Sequence, residues 1–389
     1  MTLLNLELST NNRVRIITSS VCTFFFSGIV MSFNLWIPDR FFPMLPAFSF
    51  FAEVPNPIDL ALLFVLMGSL LLTIFFRSKI PIALSILSTI SLVVLDQMRL
   101  QPWVYIYFSV LLCLLFLYDD EPSLINCLRL ICIGIYLWSG IHKINDNFLE
   151  VTFKSILEKI FSFNNRNVAQ SILYFGYSIP VLEITCACLL FFHKSKKLGV
   201  VLATLIHFFI LIFIIFIDSA KNDIVIPWNL AMIIIVLAAF YPTNSSHFNF
   251  QSIKSKISAS IILLLFWIAP SLNFVSLWDS YLSFSFYSDK VNAYYIAIEE
   301  SELPKVDKRF ESFFVELPNL KGGKIIDIYE WSLAELNVPF YPEDRVFKQL
   351  SNSFCRLGIA NEKLIFLKVS NYPRRGQYIP YKCQPWAYR

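Results

Sequence analysis

The sequence predicts an all-α polytopic transmembrane bundle of about nine helices, followed by a small C-terminal α+β domain outside the membrane. Three observations carry this reading. Of 389 residues, 56% are hydrophobic and only 15% charged, with a mean hydropathy of +0.61, so there is too little polar surface to cover a soluble globule. Apolar runs that approach bilayer thickness recur as far as Leu277. From Trp278 onward charge density rises and apolar residues alternate, as in strands with one buried face. The division is therefore 1–277 for the bundle and 278–389 for the extramembrane domain.

The formal net charge of +4 is spread through short loops rather than gathered on one face, which argues against nucleic acid as a partner. The lipid bilayer is the expected surrounding, and 39 Phe with 8 Trp suit lipid-facing and interfacial positions.

The polar stretch Met1–Arg15 leads into the apolar run Ile16–Ile37. That run is too long for a signal-peptide core and no small-residue cleavage site follows, so it reads as a retained first span. Further runs lie at Pro57–Phe76, Ile80–Leu95, Pro102–Tyr118, Ser123–Ile144, Val168–Phe192, Leu198–Ile217, Ile224–Phe240 and Ile257–Leu277. Pro57 and Pro102 stand in a first turn, where a helix tolerates proline.

Arg13, Arg15, Arg77, Lys79, Lys194, Lys196, Lys197, Lys254 and Lys256 fall in turns on one side, which the positive-inside rule makes cytoplasmic. Asp119, Asp120 and Glu121 share that side, and acidic residues weigh little in the rule. The N-terminus is then cytoplasmic and an odd number of spans puts the C-terminal domain outside. The implied setting is a bacterial inner membrane, or the endoplasmic reticulum in a eukaryote. On the outer side, Leu149, Phe153, Ile156, Leu157 and Ile160 recur at helical spacing within Asn145–Asn167. Such a helix either lies along the membrane surface or packs within the external domain.

Within 278–389, Tyr294–Glu299 and Leu364–Val369 alternate like strands and Glu343–Cys355 is helix-like. The two cysteines of this domain, Cys355 and Cys383, are a disulfide candidate on an oxidising side, with two free thiols as the alternative. The other six, Cys22, Cys113, Cys127, Cys132, Cys186 and Cys188, lie in apolar runs and read as small buried residues. The tail from Tyr372, with Arg374, Arg375, Tyr378, Tyr381, Lys382, Trp386 and Arg389, either folds back on the headgroups or is an irregular terminus.

Ionisable residues inside apolar runs are the functional pointers, because lipid tolerates charge mainly beside a partner or a cavity. Glu183 lies nine residues before Phe192, and His207 nine after Leu198. Both are ~13 Å from the cytoplasmic end of neighbouring antiparallel spans and can therefore meet near the midplane. Such a pair would hold a proton, a quinone oxygen or a polar head, or would simply fix helix packing.

A second group lies at the outer ends of spans: Asp96, Gln97 and Arg99; His142 and Lys143; Asp218, Lys221, Asn222 and Asp223, followed by Trp228 and Asn229. Trp103, Trp138 and Trp228 equally suit interfacial anchoring. Lys143 closes an apolar helix beside Gly140, where a desolvated amine can act as a base or snorkel to the surface. No phosphate loop, nucleophile elbow, H-E-x-x-H or C-x-x-C occurs. With four His in all, no metal site is predicted.

At YLWSGIHKINDNFLE the sequence resembles the vitamin K-dependent γ-glutamyl carboxylase and its bacterial relatives, the horizontally transferred transmembrane domain proteins. The resemblance extends to LDQMRLQPWVYIYF, VLEITCACLLFF and LATLIHFFILIF, and covers about Ile16–Phe240. It implies a reduced, vitamin K-like quinone as cofactor, with Lys143 as the base that deprotonates it and His207 as a second catalytic residue. His142, Glu183, Asp96, Arg99, Trp228 and Asn229 would then line the substrate or cofactor site. Two positions depart from the family: His142 replaces the first Lys of its Lys pair, and Ile210 stands where an Asn is expected. NDIVIPWNLAM resembles a variant in bacterial members of unassigned chemistry.

The expected function is thus a quinol-using carboxylase or epoxidase-like lyase. The alternative is a non-catalytic, DoxX-like component that binds quinone or lipid, or scaffolds an extracytoplasmic protein or peptide. A transporter ranks third, since no internal repeat or broken-helix pair supports it.

Overall fold

The computed structural model describes residues 9–48, 50–51, 56–161, 170–217, 223–240, 248–316, 323–370 and 377–383. Asp218, Lys221 and Asn222, and most of the tail after Tyr372, lie outside the described residues.

The bundle is built from α1 (Thr10–Met31), α2 (Phe33–Trp36), α3 (Asn56–Phe75), α4 (Lys79–Leu95), α5 (Pro102–Phe116) and α6 (Glu121–His142). It continues with α7 (Lys154–Phe161), α8 (Gln170–Tyr174), α9 (Ser178–Phe191), α10 (Lys196–Phe216), α11 (Val225–Phe240) and α12 (Ile253–Leu263). Beyond α12 the helix runs on through a π-helical turn at Leu264–Ile268 into a 3-10 stretch, Ala269–Val275. Among the described residues, six helical segments are long and apolar enough to cross a membrane: Thr10–Met31, Pro57–Phe75, Glu121–His142, Ile172–Phe191, Lys196–Phe216 and Ile253–Val275. The chain is a multi-pass membrane protein.

Three shorter apolar helices, Lys79–Leu95, Pro102–Phe116 and Val225–Phe240, occupy runs that the hydropathy pattern predicts as spans. Their 15–17 residues reach only about 22–26 Å at 1.5 Å per residue. Asp96 ends α4 with an extended backbone, and proline opens α5.

At one end of the bundle Arg77 donates to Glu121 (2.8 Å), the Tyr118 carbonyl (3.2 Å) and Asn11 Oδ1 (3.2 Å). There Lys79 meets Asp119 at 2.7 Å. The opposite end carries the domain. Asn34 Nδ2 donates to the Glu335 carbonyl (3.0 Å), and Gln97 Nε2 to Gln349 Oε1 (2.9 Å). Gln101 Nε2 reaches the Pro339 carbonyl (3.1 Å), and Arg345 Nε reaches Gln97 Oε1 (2.9 Å).

The domain is an antiparallel sheet of order β2-β3-β1-β4-β5. Its strands are β1 (Ala293–Glu299), β2 (Phe314–Val315), β3 (Gly323–Asp327), β4 (Leu364–Ser370) and β5 (Gln377–Tyr381), joined by α13 (Ile328–Leu336) and α14 (Asp344–Cys355). Ile296 stands between Ile326 and Phe366 in register, and Tyr294, Ile296 and Ile298 alternate into the core. Tyr294 lies 4.5 Å between ring centroids from Phe347 of α14, whose Val346, Phe347, Leu350 and Phe354 form one apolar stripe. The bundle also contributes to this core: Phe42, from the loop after α2, lies 4.4 Å from Trp331 between ring centroids. Cys355 and Cys383 form a disulfide that ties the end of α14 to the segment after β5, with Cα atoms 5.8 Å apart.

The segment after α6 packs on protein. A π-helical turn, Phe148–Phe153, continues into α7, and Leu149, Phe153 and Leu157 bury against Leu173, Tyr177 and Ile179.

Candidate functional site

Helix α6 sets Tyr136, Ser139, Gly140 and Lys143 along one face, because residues three, four and seven apart stack on a helix. Gly140 is where α9 comes closest. A Cβ there would lie 2.7 Å from Ile184 Cγ1 and 2.8 Å from the Pro180 carbonyl oxygen. This approach brings Glu183 to Lys143. Nζ donates to Glu183 Oε1 (3.0 Å) and Oε2 (2.9 Å) and to Ser139 Oγ (2.6 Å). Both side chains are nearly enclosed, 7% and 11% exposed.

Glu183 therefore pairs with Lys143 and not with His207. The helical rise places Glu183 and His207 at one depth, but depth does not fix the direction each side chain takes around its helix. His207 Nε2 lies 2.7 Å from the Tyr136 hydroxyl, and its Nδ1 lies 2.7 Å from Asn229 Oδ1 on α11. Asn229 Nδ2 donates to the Val225 carbonyl at 2.8 Å, so its Oδ1 is an acceptor. His207 accordingly donates through Nδ1 and accepts from Tyr136 through Nε2, which suits a neutral ring. Tyr136, Ser139, Lys143, Glu183, His207 and Asn229 thus make two short polar chains between α6, α9, α10 and α11.

The mouth above them is covered by residues just before β1. The Phe286 ring lies 5.8 Å from Lys143 Nζ and 4.9 Å, edge to face, from Trp228. His142 stacks on Phe274 at 4.9 Å, and its Nδ1 is 3.4 Å from Lys290 Nζ. Burial draws the Lys290 ammonium down to about 8.

Asp96 and Arg99 belong to a separate ionic group. Asp96 pairs with Arg40 and accepts the Leu45 and Met98 amides at 3.2 and 3.1 Å. Arg99 is fully buried on Asp59 (3.0 Å) and on the carbonyls of Leu35, Trp36 and Leu92. Four charges so spent on one another and on backbone carbonyls fasten the α2 region to the α3–α5 ends. The structure does not bring this group together with Lys143.

Sequence reasoning missed Tyr136, Ser139, Asp59 and Phe286. Asp59 carried a usable signal, as an acidic residue inside an apolar run. Tyr136 and Ser139 carried a weaker one, their helical spacing from Lys143. Nothing local marked Phe286.

In a comparison with known families, the model described as methylamine utilisation protein MauE fits residues 121–225. That stretch contains Lys143, Glu183 and His207. It overturns the carboxylase resemblance, which rested on short apolar and aromatic motifs of a kind that helix packing in lipid produces widely. No curated protein matches the chain, and no solved structure does. What is established is a multi-pass membrane protein that, over residues 121–225, is similar to methylamine utilisation protein MauE.

Proposed function

We propose that this chain is a non-catalytic accessory membrane component that presents its C-terminal domain as a scaffold for an extracytoplasmic protein or peptide. The observation that carries this reading is the state of the bundle's polar residues. Lys143 is held by both oxygens of Glu183 and by Ser139, while both ring nitrogens of His207 are hydrogen-bonded. With the amine engaged by both carboxylate oxygens and the Ser139 hydroxyl, the pair locks α6 to α9. The similarity to methylamine utilisation protein MauE favours an accessory role over a carboxylase.

In this reading the N-terminus lies in the cytoplasm and the domain-bearing end of the bundle faces the other side. The end that gathers Arg77, Lys79 and the start of α1 is the cytoplasmic one. The domain then lies on the oxidising side, where its disulfide persists.

The test is lipid extraction and chromatography of the full chain purified in nanodiscs, beside a Lys143→Met/Glu183→Leu variant. The scaffold reading expects no quinone above the lipid background in either. Stoichiometric quinone in the parent that is lost in a folded variant would overturn it.

A further inference from the structure

Among the described residues five non-glycine residues have left-handed backbones, and three of them fall within six positions: Phe284 (φ 60°), Tyr287 (φ 55°) and Asp289 (φ 50°). For L-residues, aromatic ones above all, this conformation is unfavourable and persists where the surroundings impose it. Here the surroundings are the outer mouth of the bundle. Phe284 is fully buried and lies 5.5 Å from Phe266 and 6.1 Å from Tyr105. Phe286 covers Lys143 and Trp228. Asn145 Nδ2 donates to both the Ser288 carbonyl (3.0 Å) and the His142 carbonyl (2.8 Å). Asp289 accepts the Thr152 amide at 2.9 Å and also its hydroxyl. Positions 286, 288 and 290 thus engage Lys143, Asn145 and His142 in turn, against the strained backbone between them.

We propose that Ser283–Lys290 is a displaceable strap, a conformational device that closes the bundle over the Lys143–Glu183 pair and opens by local release at Thr152–Asp289. Its ends are fixed independently of that latch. The Ser283 amide is bonded to the Asp279 and Ser280 carbonyls (3.0 and 3.2 Å), and β1 begins at Ala293. Release leaves the strands of the sheet in place and draws Phe284 and Phe286 off Phe266, Tyr105 and Trp228 at the end of the bundle. The strap is the first part of the domain after the last span, so the domain's seating controls access to the buried pair.

Two substitutions act in opposite directions without touching the pair. Tyr287 is exposed, and Tyr287→Gly relieves left-handed strain, so it tightens the closed state. Thr152→Val removes the hydroxyl that donates to Asp289 and loosens it. Amide hydrogen exchange on the full chain in nanodiscs is expected to show Ser283–Lys290 opening at least about tenfold faster than Ile131–Tyr136 of α6. Opening should rise about fivefold in Thr152→Val and fall about threefold in Tyr287→Gly. Acetylation of Lys143 by a water-soluble N-hydroxysuccinimide ester, read by mass spectrometry, should follow the same order. The proposal is overturned if these amides exchange with α6, if either variant shifts them the wrong way or not at all, or if Lys143 labelling does not follow their exchange.

Discussion

The Lys143–Glu183 pair sets a measurable coupling between α6 and α9. Lys143→Met leaves the Glu183 carboxylate enclosed without its cation, and Glu183→Leu leaves the ammonium without its anion. Breaking a buried pair from one side costs about 3–5 kcal/mol, since the remaining charge stays desolvated. In the double variant both charges are gone and two apolar side chains of similar length fill the space. The Ser139 hydroxyl can turn back onto its own helix. The double variant should therefore lie within about 1–2 kcal/mol of the parent, which makes the coupling energy roughly 4 kcal/mol or more. Equilibrium unfolding of all four proteins in mixed micelles measures it. A coupling below about 1 kcal/mol, the range of exposed pairs, would refute the enclosed bidentate geometry.

Glu343 supplies a pH test outside the membrane. Burial raises its carboxyl from the ordinary 4.5 to about 7, while its Oε1 accepts the Ser280 amide at 2.8 Å. The folded state thus favours the protonated form, so its contribution is complete below about pH 4.5 and is lost as pH rises through about 7. Glu343→Gln, neutral throughout and still an acceptor, should raise stability by roughly 1–3 kcal/mol at pH 8 and by almost nothing at pH 4.5, read by thermal unfolding at both. Replacing both Cys355 and Cys383, 28 residues apart, with Ser should destabilise the domain by about 3–4 kcal/mol. Limited proteolysis of the full chain, parent against variant, reads that loss. Gly140→Ala forces a methyl against Ile184 and the Pro180 carbonyl, so it should cost about 1–3 kcal/mol and shift the unfolding midpoint; an unshifted midpoint would mean that the two helices are not so close.

How much was legible in the sequence depends on how local each cause is. The apolar runs that became α1, α3, α6, α10 and α12 announce themselves through transfer energy, residue by residue. The strands around Ile296 and Phe366 are legible because alternation is local too. Lys143 and Glu183 stood out as charges where charge is expensive, yet their pairing did not. Pairing depends on the azimuth of each side chain, and that is set by Gly140 letting α9 approach, a contact between residues far apart in sequence. Phe286 is invisible for the same reason. Its neighbours Phe284, Tyr287 and Asp289 adopt backbones for which none of them is the usual residue, so no turn signature marks the strap. Carrying the carboxylase motifs over went wrong because Gly, aromatic and β-branched residues at helical spacing are shared by unrelated bundles.

The loop after α2 has a bearing on how the chain matures. Glu335 binds the Asn34 side chain and the Phe41 amide across separations of 301 and 294 residues, and Asn337 reaches the Met31 carbonyl across 306. The first helical hairpin is therefore finished by residues that emerge long after it. Until they arrive, Phe41 and Phe42 lack the Trp331 and Phe310 rings that cover them. A nascent chain stopped before Trp278 would hold its spans in the bilayer and still display that aromatic pair beside the membrane, a surface on which a quality-control protease or chaperone could act. Completion of the domain is then the event that removes the signal, and the chain reports its own assembly at the place where its first and last thirds meet.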